Sequence, residues 1–365
     1  MRVLIAPDKY AGTLTASQAA AAIAEGWRRT APGDEVVLAP MSDGGPGFID
    51  VLYETLGGEI ATSYVRGPLE EMVIARWLLV DDTAYIECAE AAGLHLADGT
   101  DAAMAARASS AGVGDLIFCA CEAGVSKIVV GLGGSATSDG GAGLLAALGA
   151  TADRPLDQGV AGIEGVTSVT LHDRRPPAEI VIASDVDNPL TGLFGAIKVF
   201  GAQKGLAEEE MPRWDGVLQD FAAATSRAIA TEKGAGAAGG MGFALLLLGG
   251  TRRSGFDVVA GSNGLREQAA RADLVITGEG SFDPSSTAGK VPIGVAKAAV
   301  DALRPCIVLA GKVSMSGREM RTLGIDAAYS LVDSVGEDQA LGQAYDSLVQ
   351  VAARVARTWS VDHRE

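Results

Sequence analysis

Histidine, cysteine and cationic side chains are all scarce: 3 His, 4 Cys and 29 Lys plus Arg stand against 46 Asp plus Glu in 365 residues. His95, His172 and His363 lie far apart and share no ligand spacing, so histidine-centred catalysis and a histidine zinc site are not expected. Cys88, Cys119, Cys121 and Cys306 form neither a metal-binding spacing nor the framework of a disulfide-stapled domain, and they read as reduced packing residues. The shortage of cations leaves a net charge of −17. Such a surface repels nucleic-acid backbones and anionic lipid, so neither nucleic acid nor a membrane is an expected partner. Long apolar runs are missing too. The run at 243–248 is far too short to span a bilayer. Residues 3–6 stop at Pro7-Asp8 in the manner of a buried strand rather than a signal peptide. The cytoplasm is the default location.

Glycine is what the chain has in excess: 48 of 365 residues, about twice the usual ~7%. The glycines cluster between apolar segments with no collagen-like period, which points to loops where a ligand can approach bare main-chain N–H groups. With 48% hydrophobic residues the chain can bury a large interior, and its length favours two domains.

Apolar periodicity gives strand, helix, strand, helix, strand over 2–6, 15–29, 35–39, 46–56 and 59–65. A similar alternation returns after 273, with strands at 273–277, 305–310 and 326–331 and a closing amphipathic helix at 337–358. Between these ends, strand-like runs at 71–80 and 83–88 flank Asp81-Asp82 and read as a hairpin, which favours a mixed sheet there. The expected fold class is α/β. Residues 1–65 plus 262–365 form one discontinuous parallel α/β domain, and residues 66–261 form a second, mixed α/β domain inserted into it.

Three segments carry candidate chemistry. The strand at 127–130 runs into Gly131-Leu132-Gly133-Gly134-Ser135-Ala136-Thr137-Ser138-Asp139-Gly140-Gly141-Ala142-Gly143 and then a helix, an arrangement that receives anions through unpaired N–H groups and the helix dipole. Ser135 and Thr137 add hydroxyls. Tight packing of strand against helix is the other use such glycines serve. A nicotinamide dinucleotide would need an acidic residue closing a following strand about twenty residues on, whereas the region of 153–157 reads as loop. The second segment is Thr277-Gly278-Glu279-Gly280-Ser281-Phe282-Asp283, directly after an apolar strand. Carboxylates at strand ends sit where open α/β sheets bind ligands, and Asp8, Asp43, Asp185 and Asp187 stand at comparable places. Third, Lys9, Lys204 and Lys290 each lie beside a glycine loop in an otherwise acidic chain, which suggests capture of phosphate or carboxylate. Carboxylates, lysines, hydroxyls and glycine loops without a nucleophilic Cys or catalytic His suit magnesium-assisted phosphoryl transfer.

The motifs resemble those of the glycerate kinase type 1 family. The stretches that carry the resemblance include APDKYAGTLTA (6–16), PMSDGGPGF (40–48), VRGPL (65–69), IECAEAAGL (86–94), VGLGGSATSDGGAGLLAALGA (130–150), SDVDNPLTG (184–192), VFGAQKG (199–205), GAGAAGGMGFAL (234–245) and ADLVITGEGSFDPSSTAGKVPIGVA (272–296). They run in family order over about four fifths of the chain. The chain departs from the usual family pattern at Ala11, Pro46 and Ser281. The resemblance implies a Rossmann-like three-layer domain with a second mixed α/β domain inserted, and ATP-dependent phosphorylation of D-glycerate at the 2-hydroxyl; the expected assembly is a monomer or homodimer. Phosphorylation at the 3-hydroxyl or of a related hydroxyacid is the neighbouring alternative. A nicotinamide-dependent oxidoreductase and a non-catalytic hydroxyacid-binding protein are alternatives of other classes. On the kinase reading, Gly133, Gly134, Ser135, Thr137, Asp139 and Lys204 hold the nucleotide, and Lys290 meets its phosphates. Asp187 and Glu279 hold Mg2+, Asp8, Lys9, Arg66 and Glu279 bind the acceptor, and Asp43 or Asp283 orients the attacking hydroxyl and accepts its proton, with Asp187 and Lys290 completing the catalytic set.

Overall fold

The computed structural model describes residues 1–69, 71–97, 101–171, 176–287 and 291–360. Its strands, in chain order, are β1 (Arg2–Ile5), β2 (Glu35–Leu38), β3 (Glu59–Arg66), β4 (Met72–Val80), β5 (Thr83–Glu87), β6 (Lys127–Gly131) and β7 (Thr151–Ala152). They continue as β8 (Val169–Thr170), β9 (Glu179–Ala183), β10 (Thr251–Arg253), β11 (Leu274–Phe282), β12 (Cys306–Val313) and β13 (Ala327–Ser330). Two compact units result. The first comprises residues 1–43, 50–55 and 256–365, and the second residues 44–49 and 56–255.

The first unit is built on a five-stranded sheet of order β13-β12-β11-β1-β2, every pairing parallel. Val3, Ile5, Leu274, Ile276, Ile307 and Leu309 project from one face into an apolar cluster with helices Ala16–Thr30 and Ala344–Trp359. Helices Leu265–Arg271 and Val291–Asp301 also pack on the strands of this sheet. Strands buried on both faces explain why the sequence there reads as continuous apolar runs. The helix Ala16–Thr30 starts at a capping box, in which the Gln18 N–H donates to Thr15 Oγ1 at 3.1 Å and the Thr15 N–H to Gln18 Oε1 at 3.0 Å.

The second unit carries a six-stranded mixed sheet of order β10-β9-β6-β5-β4-β3. Pairs β3·β4 and β4·β5 are antiparallel and the remainder parallel. The expected hairpin is present: Val80 opposes Thr83, and Asp81 takes the left-handed backbone (φ 51) that a two-residue turn demands. The strand at 59–65 is a correction. Expected in the first domain, it pairs along its whole length with β4, from Glu59↔Leu79 to Arg66↔Met72. The chain therefore leaves the first unit before β3 and re-enters it at Phe256 rather than at 262. Alternation along 59–66 suits either sheet, and only the non-local partner decides.

One local feature breaks the usual rule. The helix Val291–Asp301 ends in a paired six-to-one and five-to-two closure, Arg304 N–H to Ala299 O and Leu303 N–H to Val300 O, both 2.9 Å. The left-handed position is filled by Leu303 (φ 56), 91% exposed, where glycine is the usual residue. Leu303→Gly is expected to stabilise the protein by about 0.5–1 kcal/mol, the relief of left-handed strain exceeding the added chain entropy. Thermal melts measure it, and a lower melting temperature would refute it.

Candidate active site

In the first unit the site grows from two neighbouring parallel strands. The β1–β11 ladder continues past the strand end, with the Ala6 N–H donating to Ile276 O at 2.7 Å and the Asp8 N–H to Gly278 O at 2.8 Å. That register brings Asp8 beside the Glu279 charge. Gly278 has to be glycine, because a Cβ there would lie 2.1 Å from Leu309 O and 2.5 Å from the Tyr10 hydroxyl. Lys9 Nζ stands 3.6 Å from Asp43 and 4.0 Å from Asp8, and the Lys9 N–H donates to Asp8 Oδ1 at 2.7 Å. Burial pushes the Asp8 carboxyl up to about 7, Lys9 opposing and the Asp43 and Glu279 charges adding to it. Around the end of β11, Ser286 Oγ donates to Glu279 Oε1 at 2.6 Å, and Ser281 Oγ donates to Asp283 Oδ2 at 3.1 Å. Asp8, Lys9, Asp43 and Asp283 thus lie in sheet-end loops of one unit, with Glu279 on β11 itself.

In the second unit the glycine loop leaves β6 and is pinned along the segment after β5. The Leu94 N–H donates to Gly134 O at 2.9 Å, the Ala136 N–H to Ala92 O at 2.8 Å, and the Cys88 thiol to Gly133 O at 3.3 Å. Lys204 is buried against this loop, its Nζ donating to Ser135 Oγ at 3.0 Å and Thr137 O at 2.6 Å. Desolvation pushes the ammonium down to about 8, with the Cys88 and Asp139 charges opposing. A second glycine run closes over it: Ala238, Gly239 and Gly240 are all left-handed, and a Cβ on Gly239 would lie 1.8 Å from Thr137 O. Thr137 Oγ1 is buried without a hydrogen-bond partner, and the N–H groups of Gly133, Gly134 and Ser135 have no protein acceptor among the described residues. Donors of that kind suit an anion.

A family model described as the glycerate kinase family matches residues 3–360. The chain belongs to that family. It is 38% identical to the glycerate 2-kinase of Escherichia coli (strain K12), covering all of this chain and 99% of that one. It is 37% identical to the glycerate kinase of Bacillus subtilis (strain 168), covering 98% and 96%. The crystal structure of glycerate kinase 2 from Salmonella typhimurium LT2 is similar with a TM-score of 0.79 at 38% identity, over 98% of each chain. The expected fold, a Rossmann-like three-layer domain with a mixed α/β domain inserted, is that of the family, and the protein is a kinase. None of its described helices is long and apolar enough to cross a membrane.

Within this kinase, three of the residues singled out in the sequence are already engaged by protein partners. Asp139 faces the protein interior. It is fully buried and accepts from Ser110 N–H (2.9 Å), Ser110 Oγ (2.7 Å), Gly141 N–H (3.0 Å) and Gly143 N–H (3.1 Å), so it occupies the helix start that the sequence reading gives to phosphate. Asp187 does not fit a metal, because Arg252 Nη2 takes one oxygen at 2.6 Å and Lys233 Nζ the other at 3.2 Å. Burial pushes its carboxyl up, yet those two cations hold it below the usual range. Among the described residues no group of three or more His, Cys, Asp or Glu side chains is placed to hold an ion. Arg66 clamps Asp115 through Nε at 2.9 Å and Nη2 at 2.6 Å, with Asp157 at 3.9 Å, an environment that opposes a substrate carboxylate. Lys290 lies outside the described residues. The dinucleotide alternative loses its acid as well: Asp153, beyond the short β7, folds onto the Thr167 and Ser168 N–H groups and the Thr167 hydroxyl.

Two serines that donate to buried carboxylates escape the sequence reading. Ser110 anchors Asp139 and starts the helix Ala111–Glu122, and a serine before an apolar run is a recognisable start signal, but nothing local names its partner. Ser286, buried beneath Glu279, lies in an unremarkable Pro-Ser-Ser-Thr turn.

Proposed function

We propose that this kinase transfers the terminal phosphoryl group of ATP to the 2-hydroxyl of D-glycerate, releasing 2-phospho-D-glycerate and ADP. The observation that carries the reading is the placement of Asp8, a buried carboxyl beyond β1 with Lys9 Nζ 4.0 Å away, whose pKa burial pushes up to about 7. A general base is most effective when its pKa lies near the working pH. Asp8 takes the proton of the attacking hydroxyl as its oxygen bonds to phosphorus, and the Lys9 ammonium attracts the substrate carboxylate. Asp43, ion-paired with Lys9 at 3.6 Å, orients that ammonium rather than acting as the base. In the second unit, Lys204, Ser135 and the bare N–H groups of Gly133 and Gly134 supply donors for phosphate oxygens. Magnesium would travel on the nucleotide's own oxygens, since this ion retains most of its waters and needs few protein ligands. The relative named a glycerate 2-kinase supports the choice of hydroxyl.

The test supplies ATP and D-glycerate and couples the product directly to enolase. Phosphoenolpyruvate should form without added phosphoglycerate mutase. A signal that needs the mutase would move the acceptor to the 3-hydroxyl, and ADP formation indifferent to D-glycerate would refute the reading.

A further inference from the structure

Ser286 has no part in the chemistry above, yet it is fully buried at the end of β11. The short turn Pro284–Thr287 folds it back beneath the strand it follows. Its single hydroxyl proton goes to Glu279 Oε1 at 2.6 Å. Ser286 Oγ in turn accepts the Asp283 N–H at 3.2 Å, and the Ser286 N–H returns to Asp283 O at 2.8 Å. Ser281 O, at 3.5 Å, is a poor competitor for the hydroxyl proton. One hydroxyl therefore ties the Glu279 carboxylate to the backbone of Asp283. A glutamate has three side-chain torsions to fix, and a charge-assisted donor at this distance fixes the last of them.

We propose that Ser286 is a positioning residue, holding the Glu279 carboxylate and the Asp283 turn in the arrangement that receives the acceptor substrate. The inference rests on the glycerate kinase reading and adds to it the group that sets acceptor affinity. Ser286→Ala removes the donor. Ser286→Cys nearly preserves the volume while replacing a strong donor with a weak one, which guards against a variant that merely fails to fold. Ser286→Thr keeps the hydroxyl.

Steady-state kinetics with ATP and D-glycerate, run beside thermal melts, decide the matter. The Ala and Cys variants are expected to raise the KM for D-glycerate about tenfold or more, with the KM for ATP within about twofold of wild type, and Thr is expected to restore the wild-type value. A D-glycerate KM within about twofold of wild type in both Ala and Cys would overturn the inference. So would a joint rise of both KM values with a lower melting temperature, which marks a purely structural hydroxyl. A wild-type protein inactive on D-glycerate would overturn the functional reading and this inference with it, an outcome distinct from an active wild type matched by its variants.

Discussion

Asp8→Asn is expected to give a protein that melts at higher temperature than wild type at pH 8 and turns over at least about a hundredfold more slowly. Both effects have one source. The Asp8 carboxyl is raised from 3.8 to about 7, first by burial and then by the Asp43 and Glu279 charges, against the pull of Lys9. A carboxyl whose folded pKa exceeds its unfolded value binds its proton more tightly in the native state. The native state therefore loses stability as pH climbs from about 4 to about 7, and the loss is complete above that window. Every tenfold difference in proton affinity between the folded and unfolded states is worth about 1.4 kcal/mol, so the cost of ionised Asp8 amounts to a few kcal/mol at pH 8. The asparagine amide, of the same size, never carries the charge. The stability gap should accordingly close as pH falls toward 4. Catalysis runs the other way, since only ionised Asp8 accepts a proton, and wild-type kcat/KM should rise with pH through an apparent pKa near 7 that the variant lacks. Melting curves at pH 4, 6 and 8 with a pH–rate profile measure all of this. A gap independent of pH, or an asparagine variant with wild-type turnover, would remove Asp8 from the base role.

The contrast between Asp8 and Asp187 shows what is legible in the sequence. Both are visible as carboxylates at strand ends, and β1, β6, β9 and β11 stand out by their uninterrupted buried apolar runs at 3–5, 128–130, 180–183 and 274–276. Counter-ions are not local. Arg252 is 65 residues from Asp187, and Asp115 is 49 from Arg66, so nothing near either side chain announces that its charge is already matched. β3 illustrates the same limit at the level of the fold: its composition permits a place in the first sheet, and the antiparallel partner β4 assigns it to the second. The glycine loop after β6 reads as a cluster of bare N–H groups, and Asp139 within it reads as a contributor to ligand binding, whereas the folded chain has it consume the donors nearest the helix.

That reversal makes Asp139→Ala the severest structural test. Four donors converge on this buried carboxylate, two from Ser110 and two from the N–H groups of Gly141 and Gly143. Burial pushes its pKa up, while those bonds pull in the opposite direction and compensate part of the desolvation. Alanine leaves the donors in place with no acceptor and no room for bulk water, and removing one side of a buried charged network of this kind costs about 3–5 kcal/mol. The Ser110 hydroxyl partly adapts by turning toward another acceptor, since it also receives the Leu144 N–H at 3.0 Å. The three backbone N–H groups cannot turn. The helix Ala142–Ala147 and the loop before it should therefore lose protection from hydrogen exchange together, and the melting temperature should fall. Were Asp139 instead a ligand for the nucleotide or its ion, alanine would abolish ATP turnover in a protein that melts with the wild type, because the loop would keep its anchors. Melting temperature and hydrogen exchange at residues 139–147, set beside the KM for ATP, separate the two roles.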